Sequence, residues 1–87
     1  MLNILFTPTS WAQYKDYEND KQTRKKINAL LEDIARHPAS GLGKPEALRG
    51  DYAGYYSRRI DEKNRLIYRF DDKRIEIVQV GQHYKDK

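Results

Sequence analysis

Along residues 21–36, KQTRKKINALLEDIAR, the apolar side chains Ile27, Leu30, Leu31, Ile34 and Ala35 recur at i, i+3, i+4, i+7 and i+8. That spacing is one stripe down an α-helix, with charged residues on the remaining surface. Asn19 or Asp20 caps its start and His37-Pro38 stops it, His37 sitting where an imidazole suits the C-terminal dipole. Upstream, LNILF is a short apolar strand ended by Thr7-Pro8. SWAQYKDYEND follows as a first helix, with Ser10 and Gln13 spaced as a capping box and Trp11, Tyr14 and Tyr17 or Glu18 along one face. After Gly54 the period drops to two. YYSRRI, RLIYRF and RIEIVQV read as three strands separated by the turn clusters DEKN and DDK. They make an antiparallel meander with Leu66, Tyr68 and Phe70 on one face and Arg65, Ile67 and Arg69 on the other. Residues 39–53 read as a long loop, a length that is usually functional or disordered. The pattern predicts an α+β fold: an N-terminal strand and two helices packed on one face of a mostly antiparallel β-sheet, whose other face stays open.

Composition narrows this only a little. The 87 residues suffice for a single domain spanning 1–87 and for a thin core, since a chain this small buries roughly 60% of its unfolded surface. There is no cysteine, hence neither a disulfide framework nor a thiolate metal site. MLNILFTPTS has no basic leading segment, and its apolar run is too short for a signal peptide or a membrane span. A soluble cytoplasmic protein with no membrane partner is expected. Lys and Arg number 17 against 13 Asp and Glu, a net charge of +4 that a solvated surface explains about as well as a polyanionic partner. Distribution is more telling than the sum: Arg49, Arg58, Arg59, Arg65, Arg69 and Arg74 all lie in the C-terminal half, and the guanidinium fork fits phosphate oxygens.

The chemistry gathers around GLGKPEALRG, residues 41–50, where one carboxylate, Glu46, stands among Lys44 and Arg49 beside the rigid Pro45. Taken alone, Glu46 reads as an ordinary solvated acid, His83 as a residue near the chain end, and the tyrosines at 52, 55, 56 and 84 as sheet packing rather than base-stacking platforms. Two histidines without a metal-binding spacing make a metal site unexpected, and no segment matches a phosphate-binding or dinucleotide fingerprint, so no cofactor is expected. No serine occupies a nucleophile elbow. What remains is an acid, a histidine and a set of arginines. Those types suffice for metal-free RNA cleavage, in which a carboxylate takes the 2′-hydroxyl proton, arginine balances the phosphorane and an imidazolium protonates the departing 5′-oxygen.

Taken together, GKPEALRG, GYYSRRI, NRLIYRF and the late His83-Tyr84, with DKQTRKKIN in the second helix, resemble the YoeB toxins of YefM–YoeB type II toxin–antitoxin modules, within the RelE superfamily. The similarity runs from about Trp11 to Tyr84. It implies a RelE-like fold and a ribosome-dependent mRNA endonuclease (an mRNA interferase) that inhibits translation and is held inactive by a cognate, YefM-like antitoxin; a homodimer is compatible with it. By position, Glu46 resembles the general base, His83 the general acid and Arg65 the residue that stabilises the transition state. Arg59 resembles a supporting phosphate contact, Tyr84 a substrate-positioning residue, and Lys44 and Arg49 are expected to hold the RNA backbone. Arg49 stands where the family often has lysine, Ala47 where it often has proline, and Lys85-Asp86-Lys87 extends past Tyr84. The rival readings are a same-fold toxin without nuclease activity, as in the ParE-like gyrase inhibitors, and a ribosome-binding module that leaves the message intact.

If Arg59 and Arg65 share a phosphate they must lie on one face. Because side chains alternate, this requires an odd number of residues between the strands, either Asp61–Lys63 or Ile60–Asn64.

Overall fold

The computed structural model of the chain describes residues 1–81. Its longest helix, α2 (Lys21–Arg36), has the bounds the apolar stripe predicts, and its buried residues are Ile27, Leu30, Leu31, Ile34 and Ala35. Asp20 caps it, its side chain accepting from the Thr23 amide at 3.1 Å, and His37 closes it. The preceding helix α1 (Pro8–Lys15) begins differently from the capping-box expectation. Thr7, not Ser10, is its N-cap, with Pro8 in the first turn, where a missing N–H costs nothing. Ser10 is instead buried, and its Oγ donates to the Ile77 carbonyl at 2.6 Å. Because the helix starts at Pro8, Ser10 stands inside its first turn, and its own amide donates to the Thr7 hydroxyl at 3.1 Å.

Five strands form one sheet: β1 (Asn3–Phe6), β2 (Glu46–Ala47), β3 (Tyr56–Arg59), β4 (Arg65–Phe70) and β5 (Arg74–Val80), in the order β1-β5-β4-β3-β2. The pairs β2–β3, β3–β4 and β4–β5 are antiparallel, while β1 runs parallel to β5. Residues 39–53 are thus less of a loop than their sequence suggests: β2 and a 3-10 turn at Gly50–Tyr52 lie within them. Between Ile67 and Tyr68 the β4–β5 register slips, leaving Val78 as an extra residue on β5. Helix α1 docks there, with Ser10 bonded to the Ile77 carbonyl and Gln13 Oε1 accepting from the Val80 amide at 2.8 Å. Backbone groups near the bulge thus find partners on the helix.

The core lies between α2 and one sheet face, where Leu66, Tyr68, Ile75, Ile77 and Val80 meet the α2 stripe. Phe6, Tyr14, Tyr56 and Phe70 flank it, partly buried. At roughly 1.5–3 kcal/mol per fully buried large apolar side chain, this layer is the main favourable term in a fold of this size. Arg65, Ile67 and Arg69 point the other way, as the alternation predicts, and among the described residues no helix covers that face.

Candidate functional site

Strand β2 exists because the chain after Gly43 runs along the outer edge of β3. The Arg59 amide donates to the Gly43 carbonyl at 2.7 Å, Glu46 pairs with Ser57, and the Leu48 amide donates to the Tyr55 carbonyl at 2.9 Å. Gly43 has a φ of +78°, and a Cβ there would stand 3.1 Å from the Arg59 carbonyl oxygen, so the close approach demands glycine. Lys44 follows with a φ of +52°, among the described residues the one non-glycine in the left-handed region. This kink separates Lys44 from the strand and lets Pro45 and Glu46 resume an extended course. Antiparallel partners project to the same face, so Glu46 rises beside Ser57 on the open side of the sheet.

The hairpin between β3 and β4 supplies the arginines. Its connection is the five-residue Ile60–Asn64, an odd number, and Arg59 and Arg65 are consequently direct cross-strand partners. Buried Ile60 anchors the loop from below. Asp61 folds its tip, accepting from the Lys63 and Asn64 amides at 2.8 and 2.7 Å. The Asn64 side chain, then its backbone N–H, hold the Asp61 carboxyl below the usual carboxylate range. The same loop orients Arg65, whose Nη1 donates to the carbonyls of Asp61, Glu62 and Asn64 at 2.9, 3.1 and 3.3 Å. Its Nε and Nη2 make no hydrogen bond among the described residues.

Glu46, Arg49, Ser57, Arg59 and Arg65 line one hollow of about 390 Å³, together with Ala47 and Leu48. Three guanidiniums against one carboxylate leave it positive. Among the described residues neither Glu46 nor Arg49 nor Arg59 has an ion-pair partner. Unpaired cations around a small hollow suit a phosphate, and a carboxylate among them suits proton transfer. Lys44 is the exception among the expected contacts: it lines the neighbouring hollow with Lys26 and Glu62, and Arg59 is shared between the two. His83 and Tyr84 lie outside the described residues. Among the described residues no cluster of His, Cys, Asp or Glu is placed to hold a metal, and no helix is long and apolar enough to cross a membrane.

A family of YoeB-like toxins of bacterial type II toxin–antitoxin systems matches residues 6–84. The chain belongs to this family. Toxin YoeB of Streptomyces coelicolor is 48% identical over 84 residues, covering 95% of this chain and 100% of that one. The YoeB dimer from Staphylococcus aureus superposes with a TM-score of 0.87 at 48% identity, covering 95% of this chain and 98% of that one. The toxin chain in the heterotetrameric YoeB–YefM complex of Staphylococcus aureus gives 0.86 at 48% identity, with 97% and 99% covered. The two helices on a five-stranded mixed sheet are the RelE-like fold of these YoeB toxins.

In this YoeB-like chain, two residues matter in ways the sequence reading passed over. Ser57, only 3% exposed, forms the floor between Glu46 and Ile67. Arg58, grouped above with the phosphate-binding arginines, is fully buried on the opposite face. Its guanidinium donates to Asp33 (2.8 Å), the Tyr68 hydroxyl (3.0 Å) and the carbonyls of Leu42 (2.8 Å), His37 (2.6 Å) and Ser40 (2.9 Å). Tyr68 in turn donates to the Pro38 carbonyl at 2.5 Å, and its burial pushes that hydroxyl's pKa up. Arg58 therefore holds the segment that leads from α2 to the Glu46 edge. The signal for it was present: with Arg59 on the open face, alternation sends Arg58 inward.

Proposed function

We propose that this YoeB-like toxin is a ribosome-dependent mRNA endonuclease that cuts by metal-free acid–base chemistry and so inhibits translation. The observation that carries the reading is the single hollow in which Glu46, free of any salt bridge among the described residues, faces Arg49, Arg59 and Arg65. Glu46 takes the proton of the 2′-hydroxyl, and that oxygen attacks the adjacent phosphorus. Arg65, held by the hairpin carbonyls, and Arg59 opposite it offset the charge that builds on the phosphorane. His83 as an imidazolium gives its proton to the 5′-oxygen as the P–O5′ bond breaks, and Tyr84 positions the substrate. The chain enters the stretch carrying both residues from Gly81, whose amide donates to the Arg65 carbonyl at 2.8 Å. The products are a 2′,3′-cyclic phosphate and a 5′-hydroxyl end; DNA lacks the nucleophile and is not cut.

Arg49 contacts the neighbouring backbone phosphate from the β2 side, and Lys44 extends that contact from the adjacent hollow. The partners are the ribosome with its message and a YefM-like antitoxin, in the cytoplasm; the complex and the dimer of the Staphylococcus aureus relative support an antitoxin and a homodimer here. The test is to add the protein to a translating extract and map message ends by primer extension, with and without ribosomes. Cuts within the message that need ribosomes and leave 5′-hydroxyl ends are expected. Arrested translation with intact message, or DNA-damage signalling in cells, would overturn the nuclease reading.

A further inference from the structure

The open sheet face does not end at the Glu46 hollow. Four residues along β4 from Arg65, about 13 Å at the usual strand rise, stands Arg69 on the same face. Its guanidinium bridges three strands' worth of surface: Nε donates to Glu76 of β5 at 2.7 Å, while the guanidinium carbon sits 5.4 Å from the ring centre of Tyr55, just ahead of β3. Tyr52 meets Tyr55 edge to face at 6.3 Å. Beside this ledge lies a second hollow of about 310 Å³, lined by Leu5, Arg69, Phe70, Asp71, Arg74 and Glu76.

The two hollows differ in charge. Arg69 and Arg74 are matched here by Asp71 and Glu76, whereas the Glu46 hollow is positive. A phosphate offers only acceptors and gains little from a balanced lining. A base edge offers donors and acceptors together, and its π-face suits an aromatic–guanidinium ledge. The Arg69–Glu76 pair is oriented before any ligand arrives, yet their side chains remain 55% and 34% exposed, so the polar edges stay reachable.

We propose that Tyr55, Arg69 and Glu76 form a base-reading subsite for a nucleotide flanking the cleaved bond, with a preference for guanine. Arginine donors match the guanine O6 and N7 acceptors, and the Glu76 carboxylate accepts from the N1 and N2 donors. Adenine presents a donor where guanine presents O6, and pyrimidines lack the N7 acceptor. Tyr55 lies under the base or under the arginine that holds it. The assignment rests on the nuclease reading for its cleavage readout, but not for its binding readout.

The experiment compares ribosome-bound messages that differ only in the base on either side of the cut, in single turnover, for wild type, Arg69→Gln, Arg69→Lys and Glu76→Gln. Wild type is expected to favour guanine over adenine at one flanking position by roughly ten- to a hundred-fold. All three variants should bring that ratio towards one, Arg69→Lys included, because an ammonium keeps the charge without the fork. The ratio is taken on one protein preparation, so loss of folded protein cancels. Anisotropy with matched single-stranded oligoribonucleotides reads the same preference without cleavage. Guanine-selective binding without any cutting would refute the nuclease reading and leave the subsite standing. Variants that keep the wild-type ratio, or a wild type with no base preference in binding or cutting, would reduce Arg69–Glu76 to a structural ion pair. Selectivity retained in Arg69→Lys would also overturn base reading.

Discussion

Arg59 and Arg65 stand directly opposite one another across β3 and β4, two like charges on one face of the sheet. Directly opposed like charges destabilise a sheet by roughly 0.2–1 kcal/mol. Arg65 has carbonyl partners in the hairpin; Arg59 has no ion-pair partner among the described residues. An anion bound between two such cations would offset their repulsion. Arg59→Gln should therefore leave the melting temperature unchanged or slightly higher, while weakening RNA binding and its salt dependence. Thermal denaturation and binding titrations at two salt concentrations check this, and a clear loss of stability would show that Arg59 braces the hairpin instead.

Glu46→Gln keeps shape and hydrogen bonding but removes the proton acceptor, so single-turnover cleavage should fall about 100- to 10,000-fold. Ribosome co-sedimentation should survive, since Arg49, Arg59 and Arg65 still line the hollow. His83→Gln should behave similarly, and the double variant should lose less than the product of the two factors, as residues acting as a unit do. Glu46→Gln cutting at the wild-type rate sinks the role of Glu46. Loss of binding instead would make it a brace for β2.

Removing the partner of a fully buried guanidinium is costly. Asp33→Ala strands Arg58 and should destabilise the domain by about 3 kcal/mol, a large part of the stability of a chain this size. Urea unfolding measures it. A change below 1 kcal/mol would mean that the carbonyls of His37, Ser40 and Leu42 suffice to hold Arg58.

The same pair sets an acid limit. The Arg58 side chain first, and then the Leu42 amide, hold the Asp33 carboxyl below its usual range. A depressed folded pKa contributes stability that is present above the unfolded value, about 3.9, and is lost as pH falls through the folded value. The wild type should accordingly lose stability from pH 4 downwards, and Asp33→Asn should flatten that part of the profile. Parallel profiles in the two proteins would place the acid sensitivity at Asp61 or Asp71, whose carboxyls are also held low.

On the proposed nuclease reading, the positive hollow has to be covered when idle. An acidic, partly apolar segment of a YefM-like antitoxin folding across it should give a complex that weakens with added salt yet persists, because apolar burial is not screened. Calorimetry at low and high salt measures this. Affinity independent of salt would place the antitoxin away from the arginines.

Much of this molecule was legible in one dimension. The α2 stripe named its own buried residues, and the period-two stretches marked β3, β4 and β5. Parity made Arg59 and Arg65 neighbours once the loop proved to have five residues. These features are local: a side chain's period along its own backbone decides which face it takes, whatever the rest of the chain does. Long-range pairing was not legible. Nothing in LNILF states that β1 lies parallel to β5, and a two-residue strand at Glu46–Ala47 is too short to carry a period. Glu46 reaches the arginines only because the edge of β3 offers unpaired backbone groups to the segment that follows Gly43. Thr7 caps α1 while Ser10, inside the first turn, reaches across to the Ile77 carbonyl, and Lys44 leaves the hollow because the chain kinks at it. In each case the outcome depends on which unsatisfied group another part of the chain brings within hydrogen-bonding distance, and only the folded arrangement decides that.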